Sequence, residues 1–221
     1  TPNNPCGVEY PPEVIMAFYE IAKFHGIALI IDETYRDFHS QLGAPHALFQ
    51  QSDWDNTLVH LYSFSKAYRL TGHRVGAIVA GEARMAEIEK FLDTVSICAN
   101  QLGQKAALWG MQNLEEWLAN ERHIILARRQ AILENFPNLA AKGWEILGLG
   151  AYFAYLKHPF PMASDCLTKK LVDDASVLAL PGTMFVPQGN ESGKSQIRIA
   201  FANIDTSDIA VLFDRLASVT Y

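Results

Sequence analysis

An α/β sheet with helices on both faces, followed by a smaller α+β module, is the fold class predicted by this 221-residue sequence. Three observations carry the prediction. The short apolar runs at 27–31, 57–62 and 74–80 are nearly continuous, as strands buried on both faces of a mainly parallel sheet are. Helical periodicity precedes and follows these runs. Beyond residue 140 the texture shifts to four short strand-like runs accompanied by two helices.

Taken in order, Pro11-Pro12 opens a helix whose Val14, Ile15, Phe18, Ile21 and Ala22 share a face, and Gly26 stops it. The run 27–31 is the first strand and ends in Asp32-Glu33-Thr34-Tyr35. A polar loop leads to the second strand, 57–62, and then to Ser63-Phe64-Ser65-Lys66. The third strand, 74–80, closes at Gly81. Residues 83–93 and 101–112 are helical, with a looser stretch at 97–100. A long helix from about 114 to 136 carries Trp117, Leu118, Ile125, Ile132 and Leu133 near one face, with Pro137 as its stop. Trp109, Trp117, Met111 and Phe185 read as core. The later strands fall at 143–147, 152–156, 177–180 and 196–201, and helices at 163–175 and 207–219, the last after a Thr206-Ser207-Asp208 start. The domain boundary lies inside the 114–136 helix.

A composition of 49% hydrophobic and 19% charged residues suits a globular chain able to bury a sizeable core. The net charge of -6, with no basic stripe, argues against nucleic acid as a partner. Cys6, Cys98 and Cys166 are odd in number and lack metal-ligand spacing, which points to a reducing, cytoplasmic setting without a metal centre. No apolar run has membrane-spanning length, and the polar, Pro-rich start is unlike a signal peptide. Thr1-Pro2-Asn3-Asn4-Pro5-Cys6-Gly7 lacks an initiator Met and reads as an interior turn, so a preceding N-terminal part is expected.

Ligands of open α/β sheets bind beyond the C-terminal strand ends. Asp32 and Tyr35 follow one such end; Ser63, Ser65 and Lys66 follow another, with Arg74 eight residues beyond the lysine. A lysine there can form a Schiff base with an aldehyde, while hydroxyls and a guanidinium hold an anionic tail. Asp32 follows five apolar residues and is expected to be partly buried, a position that calls for a cationic partner such as a protonated pyridine nitrogen. That pairing of Asp with Lys is the one expected of a pyridoxal phosphate site. Arg198, between Ile197 and Ile199, needs an anionic partner or an edge strand facing water.

In order and separation, Asn3-Asn4-Pro5-Cys6-Gly7, Asp32-Glu33-Thr34-Tyr35, Ser63-Phe64-Ser65-Lys66 with Arg74, and Gln196-Ile197-Arg198 resemble the class I/II aminotransferases, fold-type I enzymes that use pyridoxal 5'-phosphate. The resemblance covers essentially the whole chain. It implies that residues 1–120 are the second half of the cofactor-binding large domain and 121–221 the small domain. It also implies that Lys66 forms the cofactor aldimine and shuttles the proton between Cα and C4′, with Asp32 on the pyridine nitrogen. Tyr35 and Asn4 would bond the 3-oxygen, Ser63, Ser65 and Arg74 the phosphate, and Arg198, with Asn4, the substrate carboxylate. The implied reaction transfers an amino group between an amino acid and a 2-oxo acid, in a homodimer.

Two departures stand out. Cys6 replaces the usual threonine of the turn, a change that its Pro and Gly tolerate. The Gly-rich phosphate cup and the ring-stacking aromatic of the family lie upstream of the Asn-Pro turn and are not in this sequence, so the chain alone holds half of a cofactor pocket. No arginine occurs between Arg84 and Arg122, so the side-chain pocket is not expected to read a distal carboxylate from that segment. Lyase (C–S) or synthase chemistry of the same fold, and a non-catalytic effector domain or fragment, remain the alternatives.

Overall fold

The first helix, α1, runs Pro12–Phe24 in the computed structural model, which describes residues 1–221. Proline costs nothing in the first turn, where its missing N–H has no partner to lose. Gly26 ends the helix at φ +62°, a left-handed position that suits glycine. The buried stripe is Ile15, Tyr19 and Ala22, whereas Val14, Phe18 and Ile21 of the predicted face are exposed. The helix is apolar on two sides, and periodicity alone does not say which side is covered.

Strands β1 (Leu29–Asp32), β2 (Leu58–Ser63) and β3 (Gly76–Val79) form a sheet in that order. β1 and β2 are parallel, with Leu29 opposite Leu58 and Asp32 opposite Leu61. β2 and β3 are antiparallel, with Ser63 opposite Gly76. The sheet is therefore mixed where a mainly parallel one was predicted. The connection 64–75 contains only a short 3₁₀ turn, Thr71–His73, and lacks the crossover helix usual in a parallel return.

Leu29 and Ile31 pack with Met16 and Trp54 around a core of Ile15, Tyr19, Leu48 and Leu58. The alternate residues of β1 face the other way: Ile30 is 61% exposed and Asp32 is exposed. Ile78 and Val79 on β3 are exposed as well. The continuous apolar runs led to the expectation of burial on both faces; within this chain that holds for Leu58, Val59 and His60 of β2, while Ile30 of β1 and Ile78 and Val79 of β3 stay exposed.

Helices α2 (Glu82–Val95) and α3 (Gln101–Asn113) follow, the second capped by Asn100, whose side chain accepts from the Gly103 amide at 3.2 Å. Trp109 and Met111 are exposed rather than core, because the buried face of α3 is Gly103, Ala107 and Gly110. Helix α4 spans Glu115–Ala140 and includes Pro137 in its last turn instead of stopping there. A proline that close to the end removes one backbone bond without ending the helix.

By contacts, the chain divides into two units, Thr1–Pro2 with Glu9–Arg122 and Asn3–Val8 with His123–Tyr221. The second contains β4 (Glu145–Gly150), β5 (Phe153–Lys157), α5 (Ser164–Ala175), β6 (Leu180–Pro181), β7 (Gln196–Ala200) and α6 (Thr206–Ser218). Its antiparallel sheet has the order β4-β5-β7-β6, and the strand predicted at 177–180 shrinks to the two residues of β6. Leu156, Leu167, Leu171, Ile197, Ile209 and Leu216 are fully buried in this α+β unit. The turn Asn3–Val8 seats against β4: a Cβ on Gly148 would run into the Cys6 carbonyl, so only glycine fits there. No helix is long and apolar enough to cross a membrane.

Candidate active site

β1 delivers Asp32 to the end of the sheet, where its Oδ1 accepts from the Thr34 amide at 2.9 Å. The carboxylate is exposed, which corrects the expectation of partial burial: Asp32 falls on the open side of the strand with Ile30. The buried acid is the next residue, Glu33, which is fully enclosed. Its Oε2 lies 2.8 Å from His60 Nε2 and 3.2 Å from the Arg36 guanidinium, and its Oε1 lies 3.4 Å from His46 Nε2. Burial pushes the Glu33 carboxyl up, but the nearby His46 ring, the bond with His60 and the charge of Arg36 outweigh it, holding it well below the usual carboxylate range. Tyr35 is buried and leads into the 3₁₀ turn Arg36–Phe38.

Beyond β2, residues 63–75 close on themselves. The Phe64 amide donates to the Val75 carbonyl at 3.2 Å, the Leu70 amide to the Phe64 carbonyl at 3.2 Å, and Thr71 Oγ1 to the Ser65 carbonyl at 2.8 Å. The antiparallel register ends with Ser63 opposite Gly76, and the Phe64 bond to Val75 continues it by one residue. Arg74 adopts a left-handed conformation, φ 51° and ψ 50°, and its NH1 donates to the Thr71 carbonyl at 2.9 Å. A non-glycine residue there is strained by about 1 to 3 kcal/mol, which such sites tolerate when surrounding bonds over-determine the geometry. Ser63 Oγ accepts from the Ser65 amide at 3.3 Å. Lys66 Nζ lies 5.8 Å from the centroid of the Tyr35 ring, and neither a hydrogen bond nor an ion pair engages it. The first unit thus gathers Asp32, Tyr35, Ser63, Ser65, Lys66 and Arg74.

The second unit gathers Asn4 and Arg198. Arg198 is on β7, an interior strand, opposite Tyr155 on β5 and Leu180 on β6, so it is not an edge arginine. Its guanidinium lies 4.6 Å from the Phe153 ring centroid and 4.8 Å from that of Phe185, and NH1 donates to Asn4 Oδ1 at 2.6 Å. The guanidinium and the two rings lie within cation–π distance. The turn that carries Asn4 is fixed by the Gly7 amide on the Asn3 carbonyl at 2.8 Å and the Cys6 amide on Asn3 Oδ1 at 3.0 Å. Burial pushes the Cys6 thiol above its ordinary value.

Sequence reasoning missed the roles of Glu33, His60, Phe153 and Phe185. Strand alternation after 29–32 was the available signal for Glu33, since of two adjacent acids one must face inward. Phe185, read as core, is half-buried against Arg198. No local sequence signal pairs a phenylalanine with an arginine thirteen residues away.

Residues 1–216 match the family Aminotransferase class I and II. The aspartate aminotransferase of Sulfurisphaera tokodaii is 26% identical over 212 residues, covering 91% of this chain and 50% of that protein. The LL-diaminopimelate aminotransferase of Maridesulfovibrio salexigens is 24% identical over 221 residues, covering 99% of this chain and 55% of that protein. The chain spans about half the length of these curated relatives. Among solved structures, an aminotransferase from Mycobacterium tuberculosis superposes with a TM-score of 0.83 at 25% identity, over 99% of this chain and 55% of that one. A methionine aminotransferase from Escherichia coli superposes with a TM-score of 0.86 at 22% identity, over 99% and 56%, which speaks for the fold. With a match running nearly end to end and spanning every motif just described, this chain belongs to the class I and II aminotransferase family.

Proposed function

We propose that this chain supplies the cofactor lysine and the substrate-carboxylate arginine of a pyridoxal-phosphate-dependent aminotransferase, which moves an amino group between an amino acid and a 2-oxo acid. Lys66 carries the proposal: a half-buried lysine whose Nζ lies beside the Tyr35 ring, engaged by no acid, in a loop tied down on both sides. An amine that no acid engages, held at a strand end beside two hydroxyls and a guanidinium, is available to an aldehyde with an anionic tail. The donor set fits the cofactor in kind, with two hydroxyls and a guanidinium for a phosphate, an acid for a ring nitrogen, a phenol for a ring oxygen and an amine for an aldehyde.

When bound, pyridoxal phosphate supplies the aldehyde that Lys66 attacks and a ring that accepts the electron pair of a broken Cα–H bond. The Arg74 fork and the Ser63 and Ser65 hydroxyls hold the phosphate dianion. Asp32, whose Oδ1 already takes the Thr34 amide, keeps its other oxygen for the ring nitrogen and holds the proton there. The Tyr35 hydroxyl donates to the 3-oxygen. Lys66 Nζ would serve as the base that takes the proton from substrate Cα and returns it during the transfer. Arg198 binds the α-carboxylate, its plane steadied by the Phe153 and Phe185 rings and by Asn4.

Residues 1–120 act in this scheme as part of the large domain and 121–221 as the small one, in a homodimer of the cytoplasm. Light scattering tests the dimer and cell fractionation the compartment. The side-chain pocket takes amino acids without a distal carboxylate, although several relatives are named for aspartate; a several-hundred-fold preference for aspartate over neutral amino acids would contradict this. Absorbance tests the centre of the proposal. A band from bound pyridoxal phosphate that disappears in Lys66→Ala, with turnover dependent on an added oxo acid, supports it. A Lys66→Ala protein that binds and turns over like the wild type overturns it.

A further inference from the structure

Strand β2 carries His60 and Tyr62 on one side, two residues apart, and both are taken by acids of the segment that follows β1. His60 Nε2 lies 2.8 Å from Glu33 Oε2, and the Tyr62 hydroxyl donates to Asp37 Oδ2 at 2.6 Å. Glu33 is fully buried and also draws in Arg36 at 3.2 Å and His46 at 3.4 Å. Burial, then the Asp37 charge, push the Tyr62 hydroxyl far above its ordinary range, so it stays a donor. Between the two acids stand Thr34, whose amide binds Asp32 Oδ1, and Tyr35. Directly after Tyr62 come Ser63, Ser65 and Lys66. The two bonds therefore stitch the segment holding Asp32 and Tyr35 to the strand that ends in the lysine loop.

We propose that Glu33 and Asp37 are positioning residues, which through His60 and Tyr62 hold Asp32 and Tyr35 in register with Lys66. The functional meaning rests on Asp32 and Tyr35 facing the cofactor as proposed above, but the ordering effect is a property of the polypeptide itself. A buried carboxylate hydrogen-bonded to His60 and close to Arg36 and His46 resists displacement, because moving it would leave the His60 nitrogen and the charge itself without a partner. Without the stitches, what remains to hold Asp32 is the end of a four-residue strand, the Thr1 amino group on its carbonyl at 2.6 Å and the Thr34 amide on its Oδ1, none of which ties residues 35–37 to β2.

Backbone hydrogen exchange of the cofactor-free protein, read residue by residue, tests the ordering. Glu33→Gln, which keeps the shape and removes the charge, is expected to raise exchange at the Thr34 and Arg36 amides about tenfold, while Val59 in mid-strand changes by less than about twofold, since local opening leaves the remaining core closed. Tyr62→Phe, a single hydroxyl deletion that keeps the ring, is expected to do the same at Phe38 and His39, and it serves where Glu33→Gln does not fold. Pyridoxal phosphate affinity supplies the functional arm: both variants are expected to weaken binding about tenfold, the order of loss that small misplacements of binding groups cause. Unchanged exchange at the segment, or equal increases across the whole unit, would overturn the positioning role. So would loosened amides with unaltered cofactor affinity in a protein where Asp32→Asn weakens it. If Asp32→Asn leaves affinity unchanged, the cofactor role of Asp32 fails instead, and the exchange result alone decides the ordering claim.

Discussion

Replacing Gly7 by alanine should unfold the second unit more easily by a calculable amount. Gly7 sits at φ +70°, and a Cβ placed on it would lie 2.5 Å from the Gly150 nitrogen, 2.6 Å from the Gly150 oxygen and 2.7 Å from the Phe153 oxygen. These are backbone atoms of the β4–β5 hairpin and cannot rotate away. The left-handed conformation costs alanine about 1 to 2 kcal/mol. Forcing a methyl group into a packed site adds about 1 to 3 kcal/mol. Together they amount to about 2 to 5 kcal/mol. Gly189, in the same unit at φ +87° with open space for 4 Å around where a Cβ would stand, separates the two contributions: Gly189→Ala should cost only the conformational part. Urea denaturation followed by Trp144 fluorescence, with the other three tryptophans replaced by phenylalanine, measures the second unit, because Trp144 is buried within it. A loss for Gly7→Ala of no more than about 0.5 kcal/mol, the range of ordinary surface changes, would refute the packing described for this turn.

Three further outcomes follow from the geometry. Glu33 has a folded-state carboxyl held well below its ordinary value of 4.5, so its stabilisation is present above that value and is lost as pH falls through the lower folded one; acid unfolding curves should show a limb below pH 4.5 that Glu33→Gln flattens. Iodoacetamide at mildly alkaline pH should label the exposed Cys98 and Cys166 before Cys6, whose thiol is pushed up by burial, and mass spectrometry of the labelled peptides checks the order. Arg198→Lys keeps the charge but loses the fork that spans Asn4 and the two rings; a steady-state assay should show KM for the amino acid raised about tenfold or more, with cofactor affinity unchanged.

The placement of the proposed site residues was legible because it is written locally. Asp32, Tyr35, Ser63, Ser65, Lys66 and Arg74 stand at or beside strand ends, and apolar runs mark strand ends well. Burial was less legible. The run 27–31 and helix α1 are apolar enough to be covered on two sides, and only the fold reveals that Ile30, Phe18 and Ile21 are exposed. The direction of β3 was equally hidden, since an apolar run reads the same in either sense. Pro137 misled because its usual effect depends on how many helical turns remain beyond it.

Sequence by itself determined the family and the order of motifs, and with them the proposed site residues, because these depend on residue type and spacing along one chain. Tertiary structure decided which of two adjacent acids is buried, which rings flank Arg198, and how Asn4 meets an arginine 194 residues away. Those facts depend on strand alternation, register and long-range packing, which fix neighbours in space that no local pattern along the chain can specify.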